Sequence, residues 1–93
     1  MKIVVRFYAS FRELFGNDDN TLDLPDGASI QNLLRLLCTS DAQRQEMYDD
    51  SGRLRYYVNI MLKNGRKVQL VEEQKAELQD GDVVSIFPAI GGG

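Results

Sequence analysis

"ASIQNLLRLLC", residues 28–38, decides the fold. From Ile30 its apolar positions are 30, 33, 34, 37 and 38, the spacing of one helix face and of no strand. Ser29 stands where an N-cap belongs. A helix with a single apolar stripe needs a surface to lie on, and the flanking segments read as strands. Upstream, "TLDL" (21–24) alternates, and "KIVVRFY" (2–8) alternates over a longer run. Its Ile3, Val5 and Phe7 face one way, and Lys2, Val4, Arg6 and Tyr8 the other. Between the two strands, "SFRELFG" (10–16) sets Phe11, Leu14 and Phe15 at helical spacing with Gly16 as a stop, and "NDDN" (17–20) is a polar turn.

Downstream, "SDAQRQEMYDD" (40–50) reads as a second short helix, with Ser40 and Gln43 in capping-box spacing. "YYVNIML" (56–62) is a strong strand whose parity puts Val58, Ile60 and Leu62 toward the core and Tyr57, Asn59 and Met61 on the outer face. Asn64-Gly65 is a hairpin signal, and "KVQLV" (67–71) its return strand. "EEQKAEL" (72–78) is a loop or single turn. "QDGD" (79–82) is a tight turn into "VVSIF" (83–87), with Val84 and Ile86 inward and Ser85 and Phe87 outward. The order strand, strand, helix, strand, strand, strand predicts an α+β domain, a mixed sheet packed on one main helix. The domain is expected over 1–90, followed by a glycine tail over 91–93.

Composition narrows the function classes. The chain has 93 residues, enough for one domain core and too few for two. Its net charge is −3 with the basic residues scattered, so neither nucleic acid nor a membrane surface is an expected partner. Histidine is absent, which removes Ser-His and Cys-His catalysis and the usual zinc sites. Cys38 is the single cysteine, so an internal disulfide and a thiolate metal cluster are excluded. No metal site is expected, and a self-sufficient enzyme is not expected either. The N-terminus carries no apolar signal region, and no apolar run reaches the length of a membrane helix. A cytoplasmic location is the expectation.

Three features admit two readings each. Cys38 lies on the apolar face of the main helix, where a buried small side chain competes with a sulfur-transfer thiol. Asp80 and Asp82 flank Gly81, where turn residues compete with a cation site. Tyr57, Met61 and Phe87, flanked by Val4 and Arg6, would share the sheet face away from the helix. There a partner-docking surface competes with partial burial under a loop.

The chain closes on "FPAIGGG" (87–93). Glycine loses more freedom on ordering than any other residue, so a glycine end adds nothing to a core. An inert chain end is one reading. A reactive terminal carboxylate is the other, because glycines without Cβ can thread a narrow channel in another protein.

"VRFYASFRELFG", "VNIMLKNGR" and "LQDGDVVSIFPAIGGG" together resemble the ubiquitin-like sulfur-carrier family. Its members include the small subunit of molybdopterin synthase, the thiamine-pathway sulfur carrier and the small archaeal modifier proteins. The resemblance spans nearly the whole chain and implies the β-grasp fold. It implies that Gly92 and Gly93 are the reactive diglycine, with the Gly93 carboxylate activated. It places the family's Asp-Gly-Asp turn on Asp80, Gly81 and Asp82, and its Phe-Pro step on Phe87 and Pro88. Ala89 stands where molybdopterin-synthase members often have a second proline, and Gly91 where a non-glycine residue is common. Those departures leave the subfamily open.

An α-carboxylate is ionised at neutral pH and a poor electrophile until a partner adenylates it with ATP. The resemblance therefore implies a carrier with no bound cofactor, the ATP being used by an adenylating enzyme resembling ubiquitin-activating enzymes. Sulfur attack on the adenylate would give a thiocarboxylate for molybdopterin synthesis, with the large synthase subunit as a further partner. Attack by a lysine of a target protein would give an isopeptide and make the chain a modifier. Tyr57, Met61, Phe87 and Pro88 are the candidate partner-binding residues.

Overall fold

The alternating run at the start of the chain forms β1 (Lys2–Phe7), burying Ile3, Val5 and Phe7. The computed structural model describes residues 1–16, 19–62 and 75–89. After β1 come α1 (Ser10–Phe15), β2 (Asn20–Asp23), α2 (Ile30–Leu37), α3 (Asp41–Met47), β3 (Val58–Leu62) and β4 (Val83–Pro88). These four strands form one mixed sheet in the order β2-β1-β4-β3. β1 runs antiparallel to β2 and parallel to β4, and β4 runs antiparallel to β3. The Asn64-Gly65 hairpin, the return strand over 67–71 and Gly91 to Gly93 lie outside the described residues.

The apolar stripe of α2 lies on the sheet as its spacing requires. Ile30, Leu33 and Leu34 share one buried cluster with Ile3 and Val5 of β1, Ile60 of β3, and Val84 and Ile86 of β4. Full burial of each such side chain is worth roughly 1.5–3 kcal/mol. Cys38 belongs to the same cluster. Burial pushes its thiol pKa up, an effect only partly offset by Arg44. Since the thiolate is the nucleophile, this environment favours an inert core thiol.

The starts of α2 and α3 are each held by serine, with one difference from expectation. At α2, the Ser29 hydroxyl accepts from the Asn32 N–H, and the Asn32 side chain accepts from the Ser29 N–H at 2.9 Å. This is a complete capping box with asparagine in the position usually given to Glu or Gln. At α3, the Ser40 hydroxyl accepts from the Gln43 N–H, but the Gln43 carboxamide oxygen takes the Thr39 N–H at 2.8 Å. The reciprocal bond is displaced by one residue because the Gln43 amide nitrogen also reaches back to the Leu14 carbonyl, tying α3 to α1. Ser29→Ala is expected to cost about 1 kcal/mol and lower Tm by roughly 4–8 °C. A thermal melt checks this.

Tyr48 follows α3 and packs against the core. Burial pushes its phenol up to about 12 from the ordinary 10.0, with Cys38 adding to the rise. The neutral phenol is therefore favoured in the folded state. Its contribution to stability is fully present below pH 10 and is lost as pH rises toward about 12. After allowance for partial exposure, that loss is roughly 1–2 kcal/mol. Denaturant unfolding across this range is expected to show the decline, and Tyr48→Phe to flatten it.

Candidate functional site at the end of the last strand

β4 lies between β1 and β3, so the last strand before the glycine end is an interior strand of the described sheet. The Asp80-Gly81-Asp82 turn fixes where that strand begins. The Asp80 carboxylate accepts from the Lys2 N–H at 2.6 Å, and the Asp82 carboxylate accepts from the Gln79 N–H at 2.8 Å. The Gly81 N–H donates to the Lys2 carbonyl at 2.8 Å, and the Val4 N–H to the Asp82 carbonyl at 3.0 Å. Gly81 has φ +86, a conformation that costs glycine nothing and an L side chain about 1 kcal/mol or more. Both acids thus serve the turn. Among the described residues, no group of three or more acidic or cysteine side chains is placed to hold a metal ion.

From that turn, β4 alternates as its sequence dictates. Val84 and Ile86 are fully buried, while Val83, Ser85 and Phe87 face outward and are half-buried. On β3, Val58, Ile60 and Leu62 point into the core. Asn59 lies opposite Phe87 and Met61 opposite Ser85, so Met61 and Phe87 are diagonal neighbours on the outer face. β1 adds Val4 beside Val83 and Arg6 beside Ser85. The Arg6 guanidinium bonds to the Asp19 carboxylate at 3.0 Å, which raises its pKa further. Just beyond β1, the Tyr8 N–H donates to the Ile86 carbonyl at 3.1 Å. The Tyr8 ring meets Phe87 edge-on, with centroids 6.4 Å apart and planes at 87°. Tyr8 is 42% exposed. Ala9 follows at φ +54, the one described non-glycine residue in the left-handed half of φ, and turns the chain away into α1.

Met61 and Phe87 therefore share the outer face of the sheet, and Pro88 follows Phe87 opposite Val58 at the end of β4. Tyr57 does not join them as expected. β3 begins at Val58, because the Val58 N–H closes a turn onto the Arg55 carbonyl at 3.0 Å and takes Tyr56 and Tyr57 out of the strand. Strand parity stops applying at that turn. The Tyr57 side chain packs against the buried cluster, and its hydroxyl donates to the Glu46 carbonyl of α3 at 3.0 Å. Only its backbone reaches the chain exit, where the Tyr57 carbonyl accepts from the Ala89 N–H at 2.6 Å.

Tyr8 is the aromatic partner that sequence reading passed over. Its parity was legible, placing it beside Arg6 on the outward side. Its neighbour Phe87 was not, because a parallel pairing between the first and last strands leaves no local mark in the sequence.

Among the described residues, no helix is long and apolar enough to cross a membrane. Residues 5–93 match the ThiS family. The chain is 36% identical to small archaeal modifier protein 3 of Haloferax volcanii, over 100% of both chains. The fold is that of the solved small archaeal modifier protein 1 from the same organism, with a TM-score of 0.81, 21% identity and 100% of both chains covered. A putative molybdopterin converting factor subunit 1 from Pyrococcus furiosus matches with a TM-score of 0.70 and 34% identity, over 97% of this chain and 99% of that one. The likeness fixes the architecture as ubiquitin-like β-grasp.

Proposed function

The chain belongs to the ThiS family of ubiquitin-like carriers and modifiers, and we propose that its Gly93 carboxylate is its working group. The observation that carries this reading is the extent of the family match, which runs through the glycines to residue 93. An adenylating enzyme resembling ubiquitin-activating enzymes would bind the domain and ATP together. The Gly93 carboxylate oxygen attacks the α-phosphorus, the bond to pyrophosphate breaks, and an acyl-adenylate results. A sulfur nucleophile at the oxidation level of hydrosulfide then attacks the carbonyl carbon, and AMP departs with the electrons of the acyl C–O bond. The product is a thiocarboxylate, and molybdopterin synthesis is its first proposed use. The Pyrococcus furiosus relative, described as subunit 1 of a molybdopterin converting factor, supports that use and a larger partner subunit.

The Haloferax volcanii relative favours a second fate for the same adenylate. A neutral lysine amine of a target protein attacks the carbonyl carbon, AMP leaves, the nitrogen loses a proton, and an isopeptide forms. In either case Phe87, Met61 and Tyr8 form the docking face, with Pro88 stiffening the exit. Chemistry that needs a nucleotide site and proton transfer resides in the partner. ATP–pyrophosphate exchange by the adenylating enzyme of the same cells tests the shared step. Exchange that depends on this chain is the expected result, and a rate independent of it would count against activation at Gly93.

A further inference from the structure

A short helix leaves its last carbonyls without partners inside the helix, and something else must meet them. In α3 those carbonyls belong to Gln45, Glu46 and Met47. All three are met by one segment, residues 55–57. The Arg55 N–H donates to the Met47 carbonyl at 2.9 Å, the Arg55 Nε–H to the Gln45 carbonyl at 2.5 Å, and the Tyr57 hydroxyl to the Glu46 carbonyl at 3.0 Å. The segment is therefore bound to the end of α3 at both of its ends. Tyr57 then turns its own carbonyl to the Ala89 N–H.

That last bond has a particular weight because of its place in the ladder. Pro88 stands opposite Val58 in the intervening, non-hydrogen-bonded position, so no backbone bond to β3 lies between those of Phe87 and Ala89. The Asn59–Phe87 and Tyr57–Ala89 pairs are two residues apart, the spacing of successive hydrogen-bonded pairs in an antiparallel ladder. Without the Ala89 bond, the last backbone bond to β3 among the described residues retreats from Ala89 to Phe87. That adds two residues, about 7 Å of reach, to whatever must be ordered when Gly93 enters a partner's site.

We propose that Tyr57 is a positioning residue, a clasp through which the end of α3 fixes the root of the glycine tail for activation. The hydroxyl anchors the 55–57 turn to α3, and the anchored turn aims the carbonyl that holds Ala89. Tyr57 acts through Ala89 and touches no reacting atom. The inference rests on the activation of Gly93 proposed above, but the clasp itself can be measured without any partner.

The test compares the full chain with its Tyr57→Phe variant, which removes only the hydroxyl. Amide hydrogen exchange at Ala89 is expected to quicken roughly five- to tenfold, the weight of one part-buried hydrogen bond. Exchange at the Val5, Ile60 and Ile86 amides is expected to stay unchanged. In adenylation assays, KM for the chain is expected to rise roughly three- to tenfold with kcat unchanged, because ordering is lost before binding while the chemistry at Gly93 is untouched. Unchanged exchange at Ala89 would overturn the clasp, as would equal acceleration at the core amides, which marks general loosening. Faster exchange at Ala89 with an unchanged KM would overturn the positioning role. Wild-type chain that no adenylating enzyme of its cells accepts would instead count against the reading of Gly93, while the exchange result would still decide whether the clasp exists.

Discussion

Deleting Gly92 and Gly93 is expected to abolish both thiocarboxylate formation and conjugate formation while leaving the thermal melt unchanged. The two halves of this result have separate physical causes. Activation needs a carboxylate that can reach an α-phosphorus inside another protein, and a chain ending at Gly91 presents its carboxylate two residues short, about 7 Å of extended chain. A shortened chain still has an ionised end, so the loss follows from reach and access and not from charge. Stability should not move, because the core cluster and the described sheet end before residue 90. A change within about 0.5 kcal/mol is what a substitution away from packed groups produces. Complementation of a strain lacking the protein, with melts of the purified chains, reads both. Retained activity in the shortened chain would favour an inert tail.

The second large effect contrasts two adjacent residues of β4. Ile86 is fully buried in the core cluster, and Phe87 is half-buried on the opposite face against the edge of Tyr8. Ile86→Ala leaves a cavity between α2 and the sheet and is expected to cost about 2–5 kcal/mol. In a domain whose total stability is on the order of 5–15 kcal/mol, that threatens folding itself. Phe87→Ala removes a ring with water on one side and is expected to cost no more than about 1.5 kcal/mol. Its main effect should fall on partner affinity, weakened about 30-fold if the ring is a central anchor of the docking face. Denaturant melts and binding to the adenylating enzyme separate the two. A folded Phe87→Ala variant with undiminished affinity would remove the outer face from the interface.

Much of this architecture was legible in the sequence because each signal was local. The period of Ile30, Leu33 and Leu34 identified the helix, the alternation of Ile3, Val5 and Phe7 set a face, and Asp80-Gly81-Asp82 announced a turn. What escaped was set by contacts between distant segments. Tyr57 obeys strand parity on paper, but its hydroxyl is drawn to α3 and its backbone into a turn closed by Val58 onto Arg55. Tyr8 meets Phe87 because the first and last strands pair in parallel, a fact without any short-range signature. Asn32 completes a capping box normally finished by a longer side chain, so residue preference alone understated that helix start. The glycine end was readable for another reason. A segment with nothing to pack is conspicuous beside a strand that packs fully, and the chemistry open to it is short enough to enumerate.

The central claim is that the Gly93 carboxylate is activated and used. Intact mass measurement of the protein from its native cells, under conditions that demand the pathway, tests it most directly. A parallel digest of the remaining lysate completes the measurement. The account predicts a chain ending at Gly93 that carries sulfur in place of one carboxylate oxygen, or lysines elsewhere bearing its terminal glycines. Only unmodified Gly93 in the first sample, with no such lysines in the second, would contradict it.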